Sequence, residues 1–196
     1  RWTAFVGGTR MAFISVQADE AEYYTKIESK QEQTELAQSL PSVGDSSKSN
    51  KREAETVARL VHTLCQLHSR SGIPFSPCKQ IGIIVPFRAQ IAMIRKALAE
   101  RHIPDTADIT IDTVERYQGS QRDIIIFSTT VSHPYQLSIL SEPIMTDGRE
   151  IDRKLNVALT RARKQFFMTG NETLLRNCTA YREFLDFLSK EQILRL

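Results

Sequence analysis

The sequence predicts one α/β domain built on a largely parallel sheet with helices on both faces. Three observations point there. Continuous apolar runs rich in Ile and Val occur at 81–85 (IGIIV) and 123–131 (DIIIFSTTV), the pattern of strands buried on both faces. Segments with apolar residues at helical spacing lie between such runs, as in 88–100, where Ile91, Ile94 and Leu98 share one side. Strands and helices then alternate, as crossover connections between parallel strands require. With 196 residues, 41% hydrophobic and 25% charged, the chain suits one compact core and is too ordinary in composition for wholesale disorder, collagen or a coiled coil.

Taken in order, 11–16 (MAFISV) reads as a short strand and 19–38 as a polar, acid-rich, exposed helix. Residues 41–49 (PSVGDSSKS) read as a loop, so that 17–50 form a polar, partly mobile insertion. Asn50 is placed to cap a helix, with Glu53 three positions on completing a capping box. Ala54, Val57, Ala58, Val61, Leu64 and Cys65 carry that helix forward until 72–77 breaks it. There follow a strand at 81–85, a helix at 88–100, strands at 109–111 and 123–131, a helix at 151–163, a strand at 165–169 (QFFMT) and a helix at 180–189. Ligands of such sheets gather at the carboxyl ends of strands, so the loops after Val85, Ile111, Val131 and Thr169 are the ones to read for function.

Composition narrows the setting. No apolar run approaches the roughly 20 residues that span a bilayer, so no membrane partner is expected. The opening Arg1-Trp2-Thr3-Ala4-Phe5 has neither a signal-peptide pattern nor an initiator Met, and the chain reads as a piece of something longer. Cys65, Cys78 and Cys178 are scattered and odd in number, which fits a reducing, intracellular, cytoplasmic setting. His62, His68, His102 and His133 make no metal-ligand spacing, and no metal site is expected in the chain itself. Net charge is +3, divided as −2 over residues 1–50 and +5 over the rest, a modestly basic body that permits contact with phosphates without requiring it.

Three segments carry the chemistry. In 81–90, IGIIVPFRAQ, a strand ends in Pro86, and Phe87, Arg88 and Gln90 open a helix. In 111–130, IDTVERYQGSQRDIIIFSTT, Thr113 is followed by Gln118-Gly119-Ser120-Gln121 just before a buried strand, where a glycine lets the backbone approach a ligand and turn its N–H toward a phosphate. In 155–163, LNVALTRAR, an apolar stripe of Ile151, Leu155, Ala158, Leu159 and Ala162 is flanked by Arg161 and Arg163. On a helix these arginines stand about 200° apart and cannot reach the same phosphate.

In this order PFRAQ (86–90), TVERYQGSQRD (113–123) and LNVALTRAR (155–163) resemble motifs IV, V and VI of superfamily 1 helicases. The resemblance is to the branch of the nonsense-mediated-decay, senataxin and Dna2-type enzymes, and SKSNKREAETVARLV (47–61) is similar to that branch's helix lead-in. It implies a RecA-like P-loop NTPase fold, with residues 1–196 forming the second of two motor domains and ATP with Mg²⁺ bound jointly with the first. It implies that Arg161 is the arginine finger, that Gln118 and Gly119 lie near the γ-phosphate and its attacking water, and that Gln121 and Arg163 border the nucleotide. Phe87 would pack on the adenine, with Arg88 and Gln90 beside it. Thr113, Ser128, Thr129 and Thr130 would face a single-stranded nucleic acid, DNA ahead of RNA, along which the intact protein would move 5′ to 3′. Gln121 stands where the family often has Glu, so a carboxylate role is lost there.

The phosphate-binding GxxxxGK[ST] loop is absent, since no Gly in the chain is followed by Lys. Asp19-Glu20-Ala21 imitates a Walker B string, but without that loop it has no metal-bound phosphate to serve. The chain taken alone is therefore expected to be inactive toward ATP. Two rivals stand beside this reading. One is a nucleic-acid-binding module of the same fold that has lost hydrolysis. The other is a Rossmann dehydrogenase, which needs GxGxxG after its first strand; Gly7-Gly8 precedes the strand and lacks the spacing.

Overall fold

The computed structural model describes residues 2–17, 48–117 and 120–196. The helix expected at 19–38 and most of the loop at 41–49 lie outside the described residues, as do Gln118 and Gly119. The chain opens with helix α1 (Trp2–Gly8) and strand β1 (Met11–Ser15), and after residue 47 continues with α2 (Lys51–Ser71), α3 (Pro77–Gln80), β2 (Ile81–Val85) and α4 (Arg88–Glu100). Strands β3 (Thr110–Thr113) and β4 (Arg122–Ser128) follow, then α5 (Leu137–Leu140) and a hairpin of β5 (Pro143–Thr146) and β6 (Arg149–Asp152). The last part holds α6 (Arg153–Thr160), β7 (Ala162–Gly170), α7 (Glu172–Leu175), α8 (Thr179–Phe187) and β8 (Ile193–Arg195).

Six strands form one sheet in the order β3-β2-β4-β7-β1-β8, and every described pairing within it is parallel. The predicted α/β class with a largely parallel sheet is what the structure has. Alternation along the strands divides the core. Ile81, Ile83, Val85, Ile124, Ile126 and Phe167 face α1, α2 and α4. Ile84, Ile125, Phe127, Phe166 and Met168 face α6, α7 and α8. Burying a side chain of this size is worth roughly 1.5–3 kcal/mol, so strands covered on both faces contribute at every position, and their sequences read as unbroken apolar runs. Trp2 of α1 lies under the Arg59 guanidinium of α2, 4.5 Å from ring centroid to charge.

Several boundaries differ from the sequence reading. The helix expected over 151–163 is only α6, Arg153–Thr160. Ile151 belongs to β6, Arg161 is the helix C-cap, and Arg163 already lies on β7. Pairing of Ala162 with Arg122 of β4, together with the bond from the Arg122 N–H to the Arg161 carbonyl at 3.0 Å, ends the helix against local propensity. The 200° separation of the two arginines therefore does not apply. The hairpin of β5 and β6 is an addition to the expected elements, and its local signal is Asp147-Gly148: their φ values of 52° and 75° give the two positive angles that a tight two-residue turn needs. Strand β4 stops at Ser128, and Thr130 takes φ 63°.

Asn50 caps α2, its side chain accepting from the Glu53 N–H at 3.0 Å. The box is not closed by Glu53, because Gln90 takes the Asn50 N–H instead, at 2.8 Å.

Candidate functional site

Because the strands run parallel, their two ends make two separate edges, and the sequence-predicted residues divide between them. At the amino edge, β4 and β7 begin side by side. Gln121 precedes β4 and Arg161 precedes β7. The Gln121 amide donates to the Thr160 carbonyl at 3.5 Å and accepts from Arg163 Nε at 3.4 Å, so it is held by residues on either side of Arg161. Arg161 is half-buried. Its Nε is enclosed and makes no hydrogen bond among the described residues, which leaves the guanidinium with unspent donors. Lys164 pairs with Asp123 at 2.8 Å, and that hydrogen bond holds the Asp123 carboxyl below its usual range. Tyr117, the residue before Gln118, is buried with its ring against Gly82 of β2.

The carboxyl edge is built around Glu53, in the first turn of α2. Its side chain is fully enclosed. Its carboxylate accepts from Ser128 Oγ at 2.9 Å, from Thr169 Oγ1 at 2.8 Å and from the Thr130 N–H at 3.0 Å. Burial pushes this carboxyl up to about 7, against the opposing effect of the hydrogen bonds from Thr130, Thr169 and Ser128. Gln90 is also fully buried. It donates to the Asn50 carbonyl at 3.1 Å and to Ser128 Oγ at 3.4 Å. Phe87 is buried as the residue that opens α4, while Arg88 beside it is exposed. Thr113, Ser128, Thr129 and Thr130 all sit at this edge and are buried.

The seven residues of β4 hold the edges about 20 Å apart, at a rise of roughly 3.3 Å per residue. Arg161 and the group of Phe87, Arg88 and Gln90 therefore lie at opposite ends of the sheet. Phe87 and Gln90 moreover spend their surfaces inside the protein, one in packing and the other in hydrogen bonds to Asn50 and Ser128. The sequence reading missed Glu53 as a site residue. Its spacing from Asn50 signalled only a helix start, and nothing local marks which distant strands a buried carboxylate will meet. Among the described residues no group of three or more His, Cys, Asp and Glu side chains could hold a metal ion, and no helix is long and apolar enough to cross a membrane.

Residues 8–173 match the AAA-domain family. MOV-10 of Gallus gallus, named as a helicase, is 33% identical over 147 residues, which are 72% of this chain and 15% of that protein. The DNA replication ATP-dependent helicase/nuclease DNA2 of Mus musculus is 31% identical over 139 residues, 71% of this chain and 12% of the relative. The protein armi of Drosophila melanogaster, named as an RNA helicase, is 33% identical over 117 residues, 57% of this chain and 9% of the relative.

The chain belongs to the superfamily 1 helicases.

Its branch is the one that the three motifs resemble, that of the nonsense-mediated-decay and Dna2-type enzymes. The family gives a helicase-type, ATP-dependent domain. The chain spans only about a seventh of the length of MOV-10. This superfamily 1 helicase domain brings Gln121, Arg161 and Arg163 together at its amino edge and collects Thr113, Ser128, Thr129 and Thr130 at the other, with Phe87, Arg88 and Gln90 beside them.

Proposed function

We propose that this chain is the C-terminal motor domain of an ATP-dependent helicase and works at both edges of its sheet. The amino edge completes an ATP site whose P-loop and Mg²⁺ ligands belong to a first RecA-like domain. The observation that carries this reading is the Arg161 guanidinium, half-buried at the start of β7 with its Nε enclosed and unbonded among the described residues. A planar cation with unspent donors, fixed by the end of a helix and the start of a strand, suits a γ-phosphate that gains charge in the transition state. Gln121 and Arg163 flank it. Gln118 and Gly119 enter this site from the family resemblance alone.

ATP fits as a shared ligand, since the chain offers an anion-directed arginine and has no Gly-Lys pair to cradle the β- and γ-phosphates. ATP with Mg²⁺ supplies the phosphoryl group whose transfer drives the motor. This domain's part is to neutralise charge through Arg161 and to hold the backbone on either side of it through the Thr160–Gln121–Arg163 contacts.

The carboxyl edge carries part of the single-strand track. Arg88 joins it here, because the edge that holds Thr113 and Ser128 also holds Arg88 and is about 20 Å from Arg161. The strand is proposed to be DNA ahead of RNA. Relatives are named for both, and competition between DNA and RNA oligonucleotides of equal length decides the order.

The test is a comparison of the chain alone with the full-length protein. Full-length protein should hydrolyse ATP when given a single strand, and the purified chain should not. Turnover by the chain alone above that of an Arg161→Ala control would refute the shared-site reading. Absence of turnover in the full-length protein would favour a non-catalytic binding module.

A further inference from the structure

The residues expected to touch nucleic acid at the carboxyl edge are turned inward. Ser128, Thr129 and Thr130 are fully enclosed. Ser128 and Thr130 are tied to one group, the Glu53 carboxylate, which also binds Thr169 at the end of β7. One side chain in the first turn of α2 thus sets the ends of two adjacent strands that are 75 to 116 residues away in sequence.

Local needs do not explain this carboxylate. Asn50 already caps α2, and Gln90 already satisfies the Asn50 N–H. Burying a carboxylate is costly unless its partners are well placed. Here those partners are two hydroxyls and the Thr130 N–H, with the Thr129 N–H also turned toward the carboxylate, and no charged side chain among the described residues bonds to it. The backbone N–H belongs to Thr130, a β-branched residue at φ 63°. Such a conformation costs on the order of 1–3 kcal/mol and persists only when its surroundings impose it. Gln90 braces the arrangement from α4 through Ser128.

We propose that Glu53 is the positioning residue of the single-strand track. By holding Thr130 in its left-handed conformation and the ends of β4 and β7 together, it aims the turn at 129–133 at the nucleic acid. This proposal rests on the reading that the carboxyl edge meets the strand. Glu53 itself touches no nucleic acid, being fully enclosed; it acts through the turn, whose Ser132 and His133 are partly exposed, at the edge that also carries the exposed Arg88. The hold is strongest with the carboxylate ionised, because all three donors then meet an acceptor-only group. With the carboxyl near 7, the grip should tighten as pH rises through neutrality. The groups bonded to Glu53 from β4, β7 and the turn, namely Ser128, Thr169 and Thr130, do not titrate there; His133 of the same turn carries a titratable imidazole, so the contribution of Glu53 is the difference between wild type and Glu53→Gln.

The experiment uses the full-length helicase, a short labelled single-stranded oligonucleotide and three variants: Glu53→Ala, Glu53→Gln and Arg88→Glu. Glu53→Ala should weaken strand binding about tenfold or more and raise the oligonucleotide concentration needed for half-maximal ATPase in parallel. The kcat at saturating strand should stay within about twofold of wild type, a split that general destabilisation would not give. Between about pH 6 and about pH 8 wild-type affinity should gain on that of Glu53→Gln, which should keep most of the grip and lose the part of the pH dependence that Glu53 supplies.

Normal binding by both Glu53 variants, with Arg88→Glu impaired, overturns this proposal and leaves the edge reading standing. Normal binding by all three overturns both. Lost kcat with unchanged affinity also overturns it. If Glu53→Ala does not fold, the pH profile decides: a profile of Glu53→Gln that runs parallel to that of wild type rejects Glu53 as the positioning residue.

Discussion

Arg161 and Arg163 look interchangeable in the string TRAR, and the backbone makes them different. Arg161 caps α6 with its Nε enclosed, whereas Arg163 is exposed on β7 and leans on Gln121 at 3.4 Å. Arg161→Ala in the full-length protein should lower single-turnover ATP hydrolysis by about 10³-fold or more, the scale of an arginine finger, while leaving strand binding largely intact. Arg163→Ala should cost far less, since it loses one long contact to Gln121. A larger chemical defect in Arg163→Ala would reverse the assignment. At the other edge, Glu53 makes a prediction about stability. Its folded value near 7 is above its unfolded value of 4.5, so the folded state holds the extra proton. Its favourable contribution is complete below about pH 4.5, declines as pH rises toward 7 and is gone above that, a span of up to about 3 kcal/mol. Urea unfolding of wild type and Glu53→Gln across this range should show the slope in the first and a flatter profile in the second. Parallel profiles would mean that the Glu53 carboxyl binds its proton equally well in the folded and unfolded states.

Elements explain why motif residues sit where they do. Strand β2 has Gly82 at the point where the segment leading to Gln118 crosses it. A Cβ there would overlap the hydroxyl and ring of Tyr117 and crowd the Arg122 side chain. Gly82→Ala should therefore displace Tyr117 and cost about 1–3 kcal/mol through overpacking. It should also weaken ATPase in the full-length protein, because Tyr117 leads directly into Gln118-Gly119. Melting temperature and ATPase measured on the same preparation check both effects; a variant as stable and active as wild type would show that the crossing is loose. Strand β8 is secured differently: Glu172 of α7 accepts from Arg195 at 2.8 Å and from Arg176 at 3.1 Å. The Glu172 carboxyl lies below its usual range, where the bonds from Arg195 and Arg176 outweigh the opposing effect of burial.

At the scale of the whole molecule, one continuous sheet with a core on each face should unfold as a unit. The single tryptophan offers a probe at its periphery, since Trp2 packs on α2 beneath Arg59. Trp2 fluorescence and far-ultraviolet circular dichroism should trace one coincident urea transition. A fluorescence change that precedes the loss of secondary structure would place α1 outside the cooperative core. The separation of the two edges also has a consequence at this scale. A sheet about 20 Å long would let events at the proposed ATP site reach the proposed strand track without either ligand touching the other, through β4 and β7.

The sequence by itself determined the α/β class, because strands buried on both faces must be apolar throughout, as IGIIV and DIIIF are. It also determined the family, because LNVALTRAR and the Thr113-to-Asp123 string specify that branch in their own letters. The start of α2 was legible too, since an Asn cap is a local hydrogen bond. What lay beyond it depended on partners distant in the chain. Pairing of β7 with β4 decided that the helix ends at Thr160, so that the two arginines differ by backbone state rather than by helical angle. Parallel register decided that Phe87, Arg88 and Gln90 lie at the opposite edge from Arg161. Enclosure decided the role of Glu53: the same Asn-x-x-Glu spacing can close a box at a helix start or send a carboxylate into a core. Which occurs depends on whether Gln90, Ser128, Thr130 and Thr169 are there to meet it, and residues so distant in sequence are brought together only by the fold.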